Sequence, residues 1–277
     1  MITYMNSSVL PKEQPLVSVV IATYNRANDI MRAINSVRDQ SYTNKEIIVV
    51  NDGSSDNTQH TLEQQSDIIL INNKTNLRLQ KSLNIGCNAA RGKYIARLDD
   101  HDQWIDEEKL AKQVAFLEKN PDVAIVGTAA KSGERKIMNP LSDKDIRRQM
   151  LFRCPFCHIT IVMRKEAFAS VGGYDETLTY SEDWALWMKL GQKYQLANLS
   201  DVTTVISEET GLTNINYVSQ YTTNRTLIKS YKNIYSGFLR AMTYHWSVRQ
   251  FLRMFKLGGT MHKRFIRIYD YFFLRMQ

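Results

Sequence analysis

The chain has 277 residues, 43% of them hydrophobic, enough for one large α/β domain or for a domain with an appendage. No stretch reaches the roughly 18 uncharged apolar residues that a membrane-spanning helix needs. Three cysteines, few and odd in number, argue for a reducing compartment and against a disulfide framework. Residues Met1 to Gln14 lack a basic segment followed by an apolar run, so no signal peptide is expected and a cytoplasmic protein is. The net charge of +8 is unevenly placed: from Asn216 onward there are 11 Lys and Arg against one acid, Asp270, a net +10. The first 215 residues hold the other 25 basic and 27 acidic groups, a net −2. A near-neutral body with a basic, aromatic tail points the tail, not the body, at an anionic surface.

In chain order, Leu16 to Ala22 is a short β-branched run bounded by Pro15 and Thr23-Tyr24-Asn25, and it reads as a buried parallel strand. Asn28 to Gln40 places Ile30, Ala33, Ile34 and Val37 at helical spacing, with Asn28 as the expected cap. Glu46 to Val50 is a second buried strand, ending in Asn51-Asp52-Gly53-Ser54-Ser55-Asp56. A third run, Asp67 to Ile71, and a helix over Lys81 to Arg91 lead to the strand Tyr94 to Leu98. Helix Glu107 to Lys119 and strand Val123 to Thr128 continue the alternation, which implies a mostly parallel, Rossmann-like sheet flanked by helices.

Strand Tyr94 to Leu98 ends abruptly in Asp99-Asp100-His101-Asp102. Four ionisable groups at a buried strand end are costly unless neutralised. A divalent cation is the simplest neutraliser, since carboxylates and a neutral imidazole suit Mn²⁺ or Mg²⁺; a solvated acidic turn is the plainer alternative. With Thr23-Tyr24-Asn25-Arg26 and Asp52-Gly53, these residues fall at three strand ends, where open α/β sheets bind ligands. Asp52 can accept a hydrogen bond from a base edge, Gly53 permits close backbone approach, and Arg26, Lys81 and Arg97 are candidate phosphate partners. No G-x-G-x-x-G and no G-x-x-x-x-G-K-[ST] occurs, so a dinucleotide fold or P-loop kinase is unsupported.

Farther on, Ile159 to Met163 reads as a strand and Gly172-Gly173-Tyr174-Asp175 as a turn. Ser181-Glu182-Asp183-Trp184 opens a helix with Ser181 as its natural cap. The two acids either complement the helix dipole or supply a general base for an acceptor hydroxyl. Cys154 and Cys157 form a C-P-F-C that resembles a glutaredoxin motif in the wrong place, and no second ligand pair supports a zinc site; both read as buried thiols near the acceptor side, and Cys87 as core. His158, and with it Trp184, is assigned to the acceptor side; His245 and His262 are expected at the surface.

The ordered set resembles family 2 glycosyltransferases with the GT-A fold. It comprises Val17 to Arg26, Glu46 to Asp56, Lys81-Ser82-Leu83-Asn84-Ile85-Gly86, Gly92 to Asp99, His158 to Arg164, Gly172 to Asp175 and Glu182-Asp183-Trp184, covering about Leu16 to Gly191. The resemblance implies inverting transfer of a sugar from a nucleotide diphosphate donor, usually a UDP-sugar, with Mn²⁺ or Mg²⁺. It implies that Asp52 reads the uracil edge, Thr23 lines the nucleotide pocket, and Asp183 is the base with Glu182 beside the acceptor. The usual D-x-D falls on Asp99-Asp100-His101, similar to the D-x-H of polypeptide GalNAc-transferases; the register Asp100-His101-Asp102 also fits. The acceptor so implied is a glycan or lipid-linked saccharide in bacterial surface polysaccharide or lipooligosaccharide synthesis.

This divides the chain into a glycosyltransferase domain, 1–215, with a nucleotide-sugar half (16–130) and an acceptor half (131–215), and a tail, 216–277. In the tail, Tyr231, Ile234, Phe238, Met242 and Trp246, then Phe251, Phe255, Phe265, Ile268 and Phe272, suggest amphipathic helices. They either cap the domain or dock on the anionic inner face of the cell membrane. Two other functions compete. A sugar nucleotidyltransferase would want a Gly-rich, Lys-containing loop where Thr23-Tyr24-Asn25-Arg26 stands. A nucleic-acid-binding protein would fit pI ≈ 9.3, but the charge is confined to the tail, so no nucleic-acid partner is expected.

Overall fold

A computed structural model of the chain describes residues 14–207 and 217–255. The first half alternates strands and helices: β1 (Val17–Thr23), α1 (Ile30–Arg38), β2 (Lys45–Asn51), α2 (Thr58–Glu63), β3 (Ile68–Asn72), α3 (Leu79–Ala89) and β4 (Tyr94–Arg97). The short β5 (Gln103–Trp104), α4 (Lys109–Lys119), β6 (Val123–Ser132) and β7 (Arg135–Ile137) follow. The second half holds α5 (Asp143–Gln149), a 3-10 turn at His158–Thr160, β8 (Val162–Arg164), α6 (Lys165–Ser170), α7 (Glu182–Leu190), β9 (Gln195–Val205), α8 (Tyr217–Ser230) and α9 (Phe238–Phe255).

One nine-stranded sheet runs in the order β3-β2-β1-β4-β8-β6-β9-β5, with β7 beside β6. The first four strands are parallel, with Thr23 opposite Asn51 and Val20 opposite Arg97. β8 is antiparallel to both β4 and β6, and β9 returns parallel to β6. Strand alternation splits β1 between two cores: Val17, Val19 and Ile21 pack with Ile30, Ile34 and Leu110, whereas Val20 and Ala22 pack with Leu83, Trp184 and Trp187. Layers on both faces of a mostly parallel sheet are the architecture expected from the runs of Val and Ile.

Several local expectations change. The cap of α1 is not Asn28: the chain turns through backbone bonds from the Asp29 and Ile30 N–H groups to the Arg26 carbonyl, and Asp29 precedes the helix. The run Ile159 to Met163 begins as a 3-10 turn, because the Thr160 N–H bonds back to the Cys157 carbonyl; the strand starts only at Val162. Ser181 does not cap α7. It adopts φ +62°, and its hydroxyl donates instead to Asn224 Oδ1 on α8 (2.6 Å).

Helices α8 and α9 pack on the same core as α7, with Tyr221, Ile228, Tyr235, Ala241, Tyr244 and Val248 buried against residues that include Phe152 and Trp184. His245, expected at the surface, is 2% exposed. Its ring packs against Trp184, Tyr221 and Tyr244, and Nε2 lies 3.2 Å from the Leu151 carbonyl. The buried face of α9 is therefore Ala241, Tyr244, His245 and Val248; Trp246 points outward, 52% exposed. The expectations for His262, Phe265, Ile268 and Phe272 lie outside the described residues, as do the side chains of Phe251 and Phe255. Among the described residues, no helix is long and apolar enough to cross a membrane.

Candidate active site

Because β2, β1 and β4 are neighbours, Asp52, Thr23 and the acidic loop after Arg97 come out on one edge of the sheet. The loops there are tied to one another. The Asn25 N–H donates to Ser54 Oγ, Asn25 Oδ1 accepts from the Ser55 N–H, and Asp56 Oδ2 accepts from the Ala27 N–H. Asp52 is buried; its Oδ1 accepts from Asn73 Nδ2 (2.9 Å) and the Leu77 N–H (2.8 Å), which leaves Oδ2 without a protein donor among the described residues. Thr23 Oγ1 is buried with no hydrogen-bond partner. Both atoms keep unused hydrogen-bonding capacity. Tyr24 is exposed, and Lys81 stands exposed on the first turn of α3.

Gly53 does permit a close approach, but of the chain itself. At φ +73° a Cβ there would lie 2.6 Å from the Thr75 carbonyl carbon, so the loop that holds Asp52 sits directly on it.

The acidic loop is fastened at both ends. β4 precedes it; after it, β5 pairs with the end of β9, and the Ser207 N–H donates to Asp102 Oδ1 (2.8 Å). Within it, ligand atoms of Asp99, His101 and Asp102 lie within 4.8 Å of one another. Asp100 stands outside that group: it bonds His101 Nδ1 (2.9 Å) and faces Arg26 Nε (3.9 Å), and Arg26 also pairs with Asp29. A carboxylate on Nδ1 orients a metal-binding imidazole through its other nitrogen, so two carboxylates and His101 Nε2 make a donor set that suits Mn²⁺ or Mg²⁺.

Arg97 differs from the expectation of a phosphate partner. It is 1% exposed and turned inward, bonding Asp99 and the Leu98 carbonyl, so it serves as the fixed counter-charge of Asp99. Burial works to raise the Asp99 carboxyl, but Arg97, with His158 and His101, more than offsets it and holds Asp99 below its ordinary range. Asp102 has no such partner; burial, then the Asp99 charge, pushes it up to about 6.

Across the cleft, α7 begins with Glu182 and Asp183. Asp183 Oδ1 accepts from the Trp184 N–H (2.7 Å), and Oδ2 accepts from the Cys154 thiol (3.5 Å). Burial raises the Asp183 carboxyl, and burial followed by the charge of Asp183 pushes Glu182 up to about 7. Asp99 acts in the same direction on both, which sets the acid pair and the metal-type loop in one electrostatic neighbourhood. Cys157 is close enough that Asp102 and Asp99 add to the burial that raises its thiol to about 12.

Trp184 does not face an acceptor. It is buried, and its Nε1–H donates to the Met150 carbonyl (2.7 Å). His158 is boxed by Tyr174 and Trp187 and shares a 2.7 Å hydrogen bond with the Tyr174 hydroxyl; burial pushes its ring down to about 3, which favours the neutral form. Asn73, Leu77, Ser207 and Cys154, which hold the functional carboxylates, carry no motif that marks them in advance. Among the described residues, the non-glycine positions with positive φ are Asn25 after β1, Arg78 before α3 and Ser181 before α7; the acidic loop has none.

Comparison with known proteins identifies the family. The sequence model described as Glycosyl transferase family 2 matches residues 18–176. An uncharacterized glycosyltransferase of Haemophilus influenzae is 36% identical over 208 residues, 66% of this chain and 62% of that protein. The amylovoran biosynthesis glycosyltransferase AmsE of Erwinia amylovora is 29% identical over 197 residues, 67% of this chain and 73% of AmsE. Among solved structures, S. aureus TarS 1–349 in complex with UDP-GlcNAc superposes with a TM-score of 0.67 at 20% identity, covering 85% of this chain and 72% of that one. The mannosyltransferase PcManGT from Pyrobaculum calidifontis, in complex with GDP-Man and Mn²⁺, gives 0.64 at 19% identity, covering 84% and 70%. These last two likenesses are of fold, the GT-A sheet with helices on both faces. The chain spans somewhat less than two thirds of the Haemophilus influenzae relative, and on the family match it belongs to glycosyl transferase family 2.

Proposed function

We propose that the chain transfers a sugar, with inversion, from a UDP-linked donor to a hydroxyl of a glycan or lipid-linked saccharide. The observation that carries this reading is the pairing, in one cleft, of a carboxylate–imidazole group around Asp99, His101 and Asp102 with a raised-pKa carboxylate pair at Glu182 and Asp183. Asp52 Oδ2 would accept from the uracil edge, with Thr23 Oγ1, Tyr24 and Asn25 around the base and ribose, and Arg26 and Lys81 toward the phosphates. Asp99, His101 and Asp102 would hold Mn²⁺ or Mg²⁺, which when bound offsets the charge that develops on the leaving diphosphate.

Asp183 would take the proton of the acceptor hydroxyl as its oxygen attacks the anomeric carbon opposite the leaving group. A base whose pKa is raised toward the working pH is the better proton acceptor. One base and one displacement invert the anomeric centre, whereas retention by double displacement would need a carboxylate nucleophile. Two other proteins support the choice of donor and pathway: TarS was solved with UDP-GlcNAc, and AmsE is named for amylovoran biosynthesis. The reading keeps the division of labour at 16–130, 131–215 and 216–277, and it places synthesis of a bacterial surface glycan at the cytoplasmic face. There, exposed Leu239 and Trp246 with Lys229, Lys232 and Arg240 would meet anionic lipid as a peripheral contact.

The testing experiment is thermal unfolding of the full chain with UDP, GDP, TDP or CMP, each with and without Mn²⁺. A ligand at about 100 times its Kd stabilises by about 2.7 kcal/mol. UDP should stabilise only with Mn²⁺, and Asp52→Ala should abolish the shift. Stabilisation by GDP alone would reassign the donor, and no response to any nucleotide would overturn the reading. Pelleting with anionic liposomes that weakens at high salt tests the membrane contact; equal pelleting with neutral liposomes contradicts it.

A further inference from the structure

A cavity of about 410 Å³ opens between β7 with the segment after it and the Arg153–Cys157 segment, with none of Thr23, Asp52 and Asp99 in its lining. Its charged lining is cationic only: Arg135, Lys136 and Arg153, with no acidic residue among the lining residues. Arg153 Nε donates to Gln149 Oε1 (2.8 Å), a neutral partner that leaves the guanidinium charge in place. Asn139 Nδ2, also in the lining, is a buried donor with no partner. An unpaired buried donor is costly, and a ligand oxygen would satisfy it. Ile137, Met138 and Phe156 give the cavity apolar walls suited to the C–H faces of a sugar ring, and its volume falls within the range of small-molecule sites.

The cavity touches the reacting end of the cleft through its two thiols. Cys154 lines it and donates to Asp183 Oδ2, and Cys157 lines it within the field of Asp99 and Asp102. A molecule bound here therefore lies one side chain away from the proposed base.

We propose that this cavity is the anion subsite for the acceptor: it takes a saccharide bearing a phosphate or carboxylate, held by Arg153, Lys136 and Asn139 so that a hydroxyl faces Asp183. The inference deepens the glycosyltransferase reading and rests on it. Phosphate and carboxylate both fit the donors on the cavity wall, and they have two sources: the diphosphate of a lipid-linked acceptor or a uronic acid in an acidic glycan.

Three probes separate these on the full chain, titrated with and without saturating UDP and Mn²⁺. They are an N-acetylglucosaminyl diphosphate carrying a short isoprenoid, methyl glucuronide, and methyl glucoside. At least one anionic probe should bind about tenfold tighter than the glucoside, the worth of a charge-assisted hydrogen bond. Arg153→Gln and, separately, Lys136→Gln should each remove most of that preference while leaving UDP affinity unchanged, which also shows the variants folded. Tight diphosphate with weak glucuronide assigns the lipid-linked source, and the reverse assigns the acidic glycan. Glucoside binding as tight as both anions, or a preference that survives both variants, overturns the proposal. A chain that ignores UDP yet keeps an Arg153-dependent anion preference refutes the donor reading and leaves the subsite standing.

Discussion

The two halves of the cleft are built from the same residue type for opposite ends. On the β1–β2–β4 side, Asp99 is kept charged by the buried guanidinium of Arg97, although Asp102 beside it is raised. On the α7 side, Glu182 and Asp183 are half-buried next to each other with no cation bonded to them among the described residues, and their carboxyls are raised. At Asp99 the first side stores fixed negative charge that a cation could meet. The second stores an affinity for a proton. Environment, not residue type, assigns the two roles.

The sharpest way to break the contrast is Asp183→Asn. Loss of a general base should lower the transfer rate by about 10²- to 10⁴-fold, measured as UDP release with acceptor present, while nucleotide binding is kept. An unchanged rate removes Asp183 from catalysis. Next in size is Trp184→Ala, which empties a buried site shared by α7 and α9 and should cost about 3–5 kcal/mol in chemical denaturation. A nearly normal stability with lost acceptor binding would return Trp184 to the cleft.

Gly53→Ala should cost about 1–3 kcal/mol, seen as a lower Tm, since the new Cβ meets the Thr75 backbone at positive φ. It should also weaken UDP binding through Asp52. The smallest effect is that of pH. The α7 carboxyls titrate higher in the folded chain than unfolded, so their share of stability is full below the ordinary carboxyl value of 4.5 and is lost as pH rises through about 7 for Glu182. The Asp183 carboxyl is raised as well, so activity should climb with pH above its ordinary carboxyl range while stability falls. Glu182→Gln should flatten the stability slope, and an activity limb confined below the ordinary carboxyl range contradicts the raised pair.

The convergence of Thr23, Asp52 and Asp99 on one sheet edge is legible in the sequence, because β-branched runs ending abruptly in these residues make strand ends and polar residues coincide. The acidic loop was legible as a metal-type cluster for the same reason. What it could not show was direction. Arg97 lies two residues before Asp99 and turns inward to it, a choice set by the packed core rather than by spacing. On the α7 side the decisive partners are distant in sequence: Ser181 bonds Asn224, Cys154 bonds Asp183, and His245 meets Leu151. Tertiary contacts of that range override the capping preference of Ser and the surface preference of His. On α9 the helical spacing of Phe238, Met242 and Trp246 holds for the first two, which pack against the core, whereas Trp246 faces outward and Tyr244 and His245 fill the core instead.

The contrast between fixed charge and stored proton affinity is tested most directly by Mn²⁺-dependent stabilisation by UDP in two variants measured side by side. The account predicts that His101→Ala loses the stabilisation and Asp183→Asn keeps it in full. The reverse pattern, with the shift kept in His101→Ala and lost in Asp183→Asn, would contradict it.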